Sequence, residues 1–182
     1  RRLIVTDTLF SMDGDFAPLD RLGELAETYD AMLMVDEAHA TGVFGKQGRG
    51  LVEHSAESAP RLHHQVHIRV GTLSKALGSA GGFVNGSQSL IDWLANRARS
   101  YVFSTAHPAA ASAAAIAALD IVRSEPERRR RLQKSAEHLR SRLSEQNWTL
   151  GPTTSQIIPV RIGSAARTVE LAQALRARGL WV

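Results

Sequence analysis

The chain has 182 residues, of which 43% are apolar and 22% charged, so it can bury a core for one domain and part of another. The net charge of +4 is modest, and the basic excess is concentrated at Arg128–Arg131. No aromatic residues interleave with that run, so we interpret it as a solvated helix surface and expect no nucleic-acid partner. The absence of cysteine excludes disulfides, thiolate metal sites and a cysteine nucleophile, and it fits a reducing compartment such as the cytoplasm. No run approaches the roughly 18 apolar residues of a membrane span, so no membrane partner is expected.

The hydrophobic pattern predicts strands that alternate with helices. In chain order the predicted elements are a strand at 3–5, a helix at 19–29, strands at 31–35, 66–70 and 83–85, a helix at 87–100 that Ser87 caps, an extended piece at 102–103, helices at 108–123 and from 125 onward, a strand at 157–162 and a helix at 165–178. The strands are apolar throughout and not alternating, which is typical of a parallel sheet covered by helices on both faces. The predicted class is therefore α/β.

A shift in composition divides the chain. From Ser124 to Pro126 the small-residue sequence gives way to a charged, helical one, and we place a domain boundary there. The prediction is one domain over 1–124 and the beginning of a second over 125–182. Both ends run into apolar, strand-like sequence, so the chain is expected to be a fragment of a longer protein.

Polar residues follow two of the predicted strands. Asp36, Glu37 and His39 come after the second strand, and Thr72, Ser74 and Lys75 come after the third. In an open α/β sheet, ligands bind beyond the carboxyl ends of the strands, so both clusters should face one crevice.

Lys75 lies among small residues and is expected to be held near the core. An amine that has lost part of its hydration can attack a carbonyl group. Each residue taken alone also has a non-catalytic interpretation. Lys75 could be a surface lysine, and Asp36 could cap a turn.

The combination of side chains fits one cofactor. A pyridoxal-phosphate (PLP) site needs a lysine for the aldehyde, a carboxylate for the pyridine nitrogen, an imidazole or aromatic ring near the phenolic oxygen, and hydroxyls for the phosphate. Asp36, His39, Thr72 and Lys75 supply these types on two loops. PLP is therefore the predicted cofactor, and no metal is expected.

Three motifs carry a resemblance to a known family. They are Leu9–Asp15 (LFSMDGD), Met34–Gly42 (MVDEAHATG) and Gly71–Gly78 (GTLSKALG), and Phe103–Thr105 and Ser155–Val160 extend the match. The sequence resembles the α-oxoamine synthases, which are PLP enzymes of fold type I, essentially from end to end. The resemblance implies the central part of a fold-type I transferase, with a mostly parallel sheet covered by helices, followed by the start of a smaller C-terminal α+β domain.

The resemblance also implies roles for single residues. Lys75 would form the Schiff base with PLP and move the proton at the substrate α carbon, and Asp36 would pair with the pyridine nitrogen. His39 would bond near the phenolic oxygen of the cofactor. The remaining cofactor contacts implied in this way come from Ser11 near the phenolic oxygen, Thr72 at the phosphate, and Ser104 and Thr105 near the phosphate of the partner subunit in a homodimer.

The implied reaction joins an amino acid to an acyl-CoA or an acyl-carrier thioester, with loss of CO2 and release of CoA. Ser155–Val160 and Gly179–Val182 most resemble the family member of biotin synthesis, which uses alanine and pimeloyl-CoA. The member that uses glycine and acetyl-CoA shares the three central motifs, so it stays open. A histidine that stacks on the PLP ring and an arginine for the substrate carboxylate lie outside this chain, so the chain alone is expected to bind PLP poorly.

Three other readings are weighed against a PLP enzyme. Asp36–His39 spells the Asp-Glu-Ala-His of an NTPase strand, which would bind Mg²⁺ with a nucleotide, but the glycine-rich phosphate loop has no match here. His63, His64 and His67 could offer imidazoles to a metal ion, although exposed histidines are the simpler interpretation. A non-catalytic fragment that only dimerises or binds a partner is the third reading.

Overall fold

A computed structural model describes residues 1–182. The fold is built on a four-stranded sheet. The strands are β1 (Arg2–Asp7), β2 (Ala31–Asp36), β3 (Val66–Thr72) and β4 (Gly82–Gly86), and they pair in that order. β1, β2 and β3 run parallel, whereas β4 is antiparallel to β3. The prediction of an α/β fold with a mostly parallel sheet is confirmed.

Eight helices surround and follow this sheet. They are α1 (Leu19–Thr28), α2 (Leu51–Ser55), α3 (Leu62–Gln65), α4 (Gln88–Arg97), α5 (Arg99–Val102), α6 (Ala109–Ser124), α7 (Glu127–Glu145) and α8 (Ala165–Ala177). α4 is capped as predicted, since the Ser87 hydroxyl accepts a hydrogen bond from the Leu90 N–H at 3.3 Å. None of the helices is both long and apolar enough to cross a membrane.

The core lies between one face of the sheet and helices α1 to α3. Leu33 and Val35 of β2 are fully buried, and Leu62 of α3 and Val52 of α2 pack in the same cluster. Full burial of one such side chain stabilises the fold by about 1.5–3 kcal/mol. This cluster fixes the carboxyl end of β2, where Asp36 follows Val35.

The opposite face of the sheet is less closely covered within residues 1–182. The parallel register places Leu3 beside Met32 and Val5 beside Met34 on that face. Leu3, Val5 and Met32 are 49%, 60% and 40% exposed. The helices that contact β2 and β3 most closely, α1 and α3, pack on the face that carries Leu33 and Val35. An apolar strand sequence shows that both faces can be buried, but it does not show which segment covers each face.

Two predicted extended segments are wrong. The segment 157–162 forms no strand and retains a single antiparallel bridge between Leu150 and Val160. Pro159 lacks an N–H donor for a sheet, and the Ile157 N–H is bonded to the Ser155 hydroxyl at 3.2 Å instead. The predicted extended piece at 102–103 is instead the end of a one-turn helix, because Val102 is the last residue of α5 and Phe103 is its C-cap. The short helices α2 and α3 were not predicted because one turn gives no periodic signal.

The arginine run at the start of α7 is not uniformly solvated, which corrects a second expectation. Arg129 is only 9% exposed. Its guanidinium donates to the carbonyl of Val122 at 2.6 Å and to that of Lys46 at 2.7 Å. Arg129 therefore ties α7 to the end of α6 and to the loop before α2.

Candidate active site

The candidate site lies at the carboxyl ends of the three parallel strands. Asp7 ends β1, Asp36 ends β2 directly beside it, and Thr72 ends β3. Because side chains alternate along a strand, the paired Asp7 and Asp36 point to the same face. The strand ends therefore bring Asp36 and Thr72 to one edge of the sheet, as predicted, and they bring Asp7 there as well.

Lys75 and His39 are in direct contact at this edge. Lys75 Nζ lies 3.0 Å from His39 Nε2, within hydrogen-bond distance. The Lys75 side chain is nevertheless exposed, so the expectation that it is held near the core is wrong. Its neighbour Leu77, only 4% exposed, occupies the buried position of this turn.

The surroundings of His39 favour its neutral form, because they lower the pKa of the imidazole. Partial burial lowers the pKa of His39, and the positive charge of Lys75 lowers it further, while Asp7 and Asp36 oppose the shift. A neutral imidazole can accept a hydrogen bond from the Lys75 side chain through Nε2. The contact therefore orients the Lys75 amine at the edge of the sheet.

Asp36 is oriented by its own turn. Its Oδ1 accepts a hydrogen bond from the Ala38 N–H at 2.7 Å, and the side chain is half-buried. This bond fixes one carboxylate oxygen, and no other hydrogen bond to the carboxylate is present. A carboxylate in this position can hold a proton on a basic ring nitrogen.

Thr72 belongs to a small cluster of hydroxyls. Its Oγ1 lies 2.7 Å from Ser74 Oγ and accepts the Ser74 N–H at 3.1 Å. It can also donate to the Gly81 carbonyl at 3.1 Å. Two adjacent hydroxyls at a strand end are suitable donors for an anionic oxygen.

The other predicted site residues lie apart from the Lys75–His39 pair. Ser11 lines a cavity of about 260 Å³ that Asp7 also lines. Ser104 bonds to the Ser100 carbonyl of α5 at 2.5 Å, and Thr105 is exposed. No hydrogen bond joins Ser11, Ser104 or Thr105 to the pair, although His107 Nε2 lies 3.0 Å from the carbonyl of Ala80 in the loop that follows Lys75.

Two residues at the site were missed in the sequence. Asp7 acts on His39 electrostatically, and it could have been found because it ends a strand in the same way as Asp36. Gln156 donates to the His39 carbonyl at 2.9 Å, and no local signal in its own segment indicates that contact.

The two rival readings that name particular residues find little support in the geometry. Glu37 is 2% exposed and accepts hydrogen bonds from the N–H groups of Leu51 and Val52, so it faces the core and not a nucleotide-bound metal. His67 Nδ1 accepts the Leu33 N–H at 3.2 Å. No three histidine, aspartate or glutamate side chains are grouped so that they could hold a metal ion.

Comparison with known proteins gives the same family at three levels. The family model for aminotransferase class I and II matches residues 1–182. An 8-amino-7-oxononanoate synthase of Bacillus pumilus is 47% identical over 180 residues, covering 99% of this chain and 45% of the relative. The 8-amino-7-oxononanoate synthase 1 of Bacillus subtilis is 45% identical with the same coverage.

Solved structures share the fold. A serine palmitoyltransferase variant from S. paucimobilis with a bound PLP–myriocin aldimine superposes with a TM-score of 0.91 at 34% identity, over 99% of this chain and 46% of that one. An 8-amino-7-oxononanoate synthase from Francisella tularensis gives 0.84 at 26% identity, over 100% of this chain and 52% of that one. The expected fold-type I architecture is thereby confirmed.

The chain spans about 45% of the length of the curated relatives it matches. The resemblance to the α-oxoamine synthases, which rested on three motifs, is confirmed along the whole chain by these relatives. With a family model that matches every residue, the chain belongs to the aminotransferase class I and II family.

Proposed function

We propose that this chain carries the cofactor-binding core of a PLP-dependent α-oxoamine synthase. The enzyme would condense an amino acid with an acyl thioester and release CO2 and CoA. The observation that carries the proposal is the contact of Lys75 Nζ with His39 Nε2 at 3.0 Å, at the edge of the sheet where β2 ends in Asp36.

The residues present fit PLP. Lys75 offers an exposed amine for the cofactor aldehyde, Asp36 offers a carboxylate for the pyridine nitrogen, and His39 lies between them in sequence and contacts Lys75. The hydroxyls of Thr72 and Ser74 are paired at 2.7 Å and suit a phosphate oxygen. Ser11 near the phenolic oxygen and Thr105 near a partner subunit's phosphate complete the proposed set.

Bound PLP would supply an aldehyde that combines with primary amines and a protonated ring that withdraws electrons from the substrate α carbon. Asp36 would keep the ring nitrogen protonated, because a nearby carboxylate favours the cationic form. Lys75 Nζ would hold and return the proton at the α carbon. His39, which contacts Lys75 Nζ through Nε2, would orient that amine.

The specific reaction we propose is that of 8-amino-7-oxononanoate synthase, with alanine and pimeloyl-CoA or pimeloyl-carrier as substrates. The names of relatives at 45–47% identity support this choice. Two related condensations are the alternatives: that of a 2-amino-3-ketobutyrate CoA ligase, and that of a serine palmitoyltransferase, which the 34% identical structures favour.

A cytoplasmic homodimer is the proposed form of the protein. Tyr101 and Phe103 are 70% and 75% exposed beside Ser104 and Thr105, which suits a contact between subunits. The division into a PLP-binding part, 1–124, and the start of a smaller domain, 125–182, belongs to the same proposal.

Borohydride reduction of the full-length protein tests the cofactor chemistry. After incubation with PLP, a visible absorbance band that borohydride removes, with the label on Lys75 by peptide mapping, is the expected result. Lys75→Ala should lose the band, and Lys46→Ala, which removes an 82% exposed lysine, should keep it. A label elsewhere, or none, would refute the assignment. Product analysis with alanine, glycine or serine and pimeloyl-, acetyl- or palmitoyl-CoA then separates the three condensations.

A further inference from the structure

Glu37 has no place in the chemistry above, although it lies between Asp36 and His39. Its side chain is 2% exposed and points away from the crevice, into the core. A buried carboxylate is costly unless hydrogen bonds satisfy it. Burial raises the pKa of Glu37, and hydrogen bonds from Val52, Leu51 and Thr8 partly oppose that shift.

Three donors meet the Glu37 carboxylate. Oε2 accepts the Thr8 hydroxyl at 3.0 Å and the Leu51 N–H at 2.8 Å, while Oε1 accepts the Val52 N–H at 2.9 Å. Gly50 lies so close that a Cβ there would come within 2.4 Å of Oε2. The first turn of α2 is thereby fastened directly under the strand end that bears Asp36.

The main chain of Glu37 is equally engaged. Its N–H donates to the Val70 carbonyl of β3 at 2.8 Å. Its carbonyl accepts the Ala40 N–H at 2.9 Å, the Thr41 N–H at 2.8 Å and the Thr41 hydroxyl at 3.0 Å. One residue therefore connects the end of β1, the end of β3, the turn that carries His39 and the start of α2.

We propose that Glu37 is a positioning residue that sets the placement of Asp36 and His39 for the cofactor, acting through its contacts with Thr8 and the first turn of α2. This inference rests on the proposed function. A carboxylate is required because both oxygens accept from N–H groups, and the amide of glutamine would set an N–H donor against one of them. Glu37 itself touches neither cofactor nor substrate.

Glu53 provides a matched control, because it lies on α2, the short helix that Glu37 contacts. Its carboxylate also accepts two main-chain N–H groups, those of Gln47 at 3.0 Å and Arg49 at 2.9 Å. Those bonds hold the loop before α2 and touch no strand end. Glu53→Gln should therefore weaken the loop in the same chemical way without moving Asp36 or His39.

The test compares Glu37→Gln with Glu53→Gln in the full-length protein. We expect Glu37→Gln to raise the dissociation constant for PLP, measured by fluorescence without substrate, and to lower kcat, each by roughly tenfold or more, because small misplacements of reacting groups are costly. We also expect it to shift the pH midpoint of the visible absorbance band, with KM for the thioester little changed. Glu53→Gln should leave the PLP affinity and the midpoint as in the wild type.

Thr8→Val removes the bonds of the Thr8 hydroxyl to Glu37 Oε2 at 3.0 Å and to the Asp36 carbonyl at 3.2 Å, and it keeps both N–H bonds of α2. It provides a second variant in case Glu37→Gln does not fold. It should weaken PLP binding in the same direction, and Thr8→Ser should restore it. Equal behaviour of Glu37→Gln and Glu53→Gln, or wild-type PLP binding in Thr8→Val, would overturn the inference. Borohydride labelling of Lys75 in the wild type is unaffected by either result and tests the proposed function separately.

Discussion

Gln156 donates a hydrogen bond from Nε2 to the main-chain carbonyl of His39 at 2.9 Å, across 117 residues of sequence. The segment around Gln156 is also fastened to the loop that carries Ser11, because the Ser155 hydroxyl donates to the Gly14 carbonyl at 2.8 Å. The chain beyond α7 thus contacts two of the loops that bear proposed cofactor residues, those of Ser11 and His39. The contact makes the position of His39 depend on a part of the chain that contributes no catalytic group.

Gln156→Leu should loosen His39 and reduce turnover. The substitution keeps the approximate volume but removes the donor, which costs about 1 kcal/mol of unfolding free energy and leaves the His39 carbonyl without this partner. We expect kcat to fall several-fold, measured beside urea unfolding. Gln133→Leu is the control, because Gln133 Nε2 and Gln156 Oε1 are both buried without a hydrogen-bond partner. Both substitutions remove one such atom, and only Gln156→Leu also removes a hydrogen bond, so Gln133→Leu should not destabilise the protein. Equal loss of stability in both variants would contradict the role given to this bond.

The site residues found from sequence share one property: they follow strands. Asp36, His39, Thr72 and Lys75 are chemically distinctive side chains at the carboxyl ends of apolar runs, and a parallel sheet gathers such ends at one edge. Gln156 could not be found in that way, because its partner is a main-chain carbonyl and its segment resembles a strand.

The burial of Arg129 could have been predicted from helical periodicity. Residues 129, 133, 136 and 140 recur at the spacing of one helix face, and Arg129 and Ala136 are both buried. The run of four arginines gives no contrast between a polar and an apolar face, because each arginine is a residue type that is usually exposed. The exposure of Leu3, Val5 and Met32 could not be predicted, because the sequence of an apolar strand does not indicate which segment of the protein covers it.

The imidazole of His39 should titrate below its usual range. Burial lowers the pKa of His39, and Lys75 adds to the shift. In the unfolded chain the value is about 6.5, so the native state binds fewer protons and stability falls as the pH drops through that value. His39→Gln should make the slope of unfolding free energy between pH 7 and 5 shallower.

Nuclear magnetic resonance provides the direct measurement for His39. The midpoint should lie below the unfolded-chain value of about 6.5, and Lys75→Met should raise it by removing one of the two causes. His63 contributes to the stability slope with the same sign, because Arg69 and burial lower its pKa as well. A His39 midpoint unchanged by Lys75→Met would contradict the electrostatic coupling of the pair.

Gly14→Ala should destabilise the protein more than the backbone conformation alone explains. Gly14 has φ of +67°, and a Cβ there would lie 2.8 Å from the Ile157 carbonyl oxygen. Gly163 has φ of +87° with nothing within 4 Å of its Cβ position. Gly163→Ala therefore measures the conformational cost alone, about 1 kcal/mol, and Gly14→Ala should cost about 1–3 kcal/mol more from the contact. Urea unfolding measures both, and equal losses would show that the contact relaxes freely.

Arg129→Lys should lower the unfolding free energy by about 1–3 kcal/mol, although it preserves the charge. The guanidinium of Arg129 reaches the carbonyls of Val122 and Lys46 at once, through two different nitrogen atoms. A single ammonium cannot reproduce that fork, so at least one carbonyl loses its donor in a buried place. Arg130→Lys is the matched control: its partner Glu127 is exposed, and surface pairs of this kind contribute little to stability. Since Arg129 is what ties α7 to α6, comparable stability of the two variants would show that the helices are held together by apolar contacts alone.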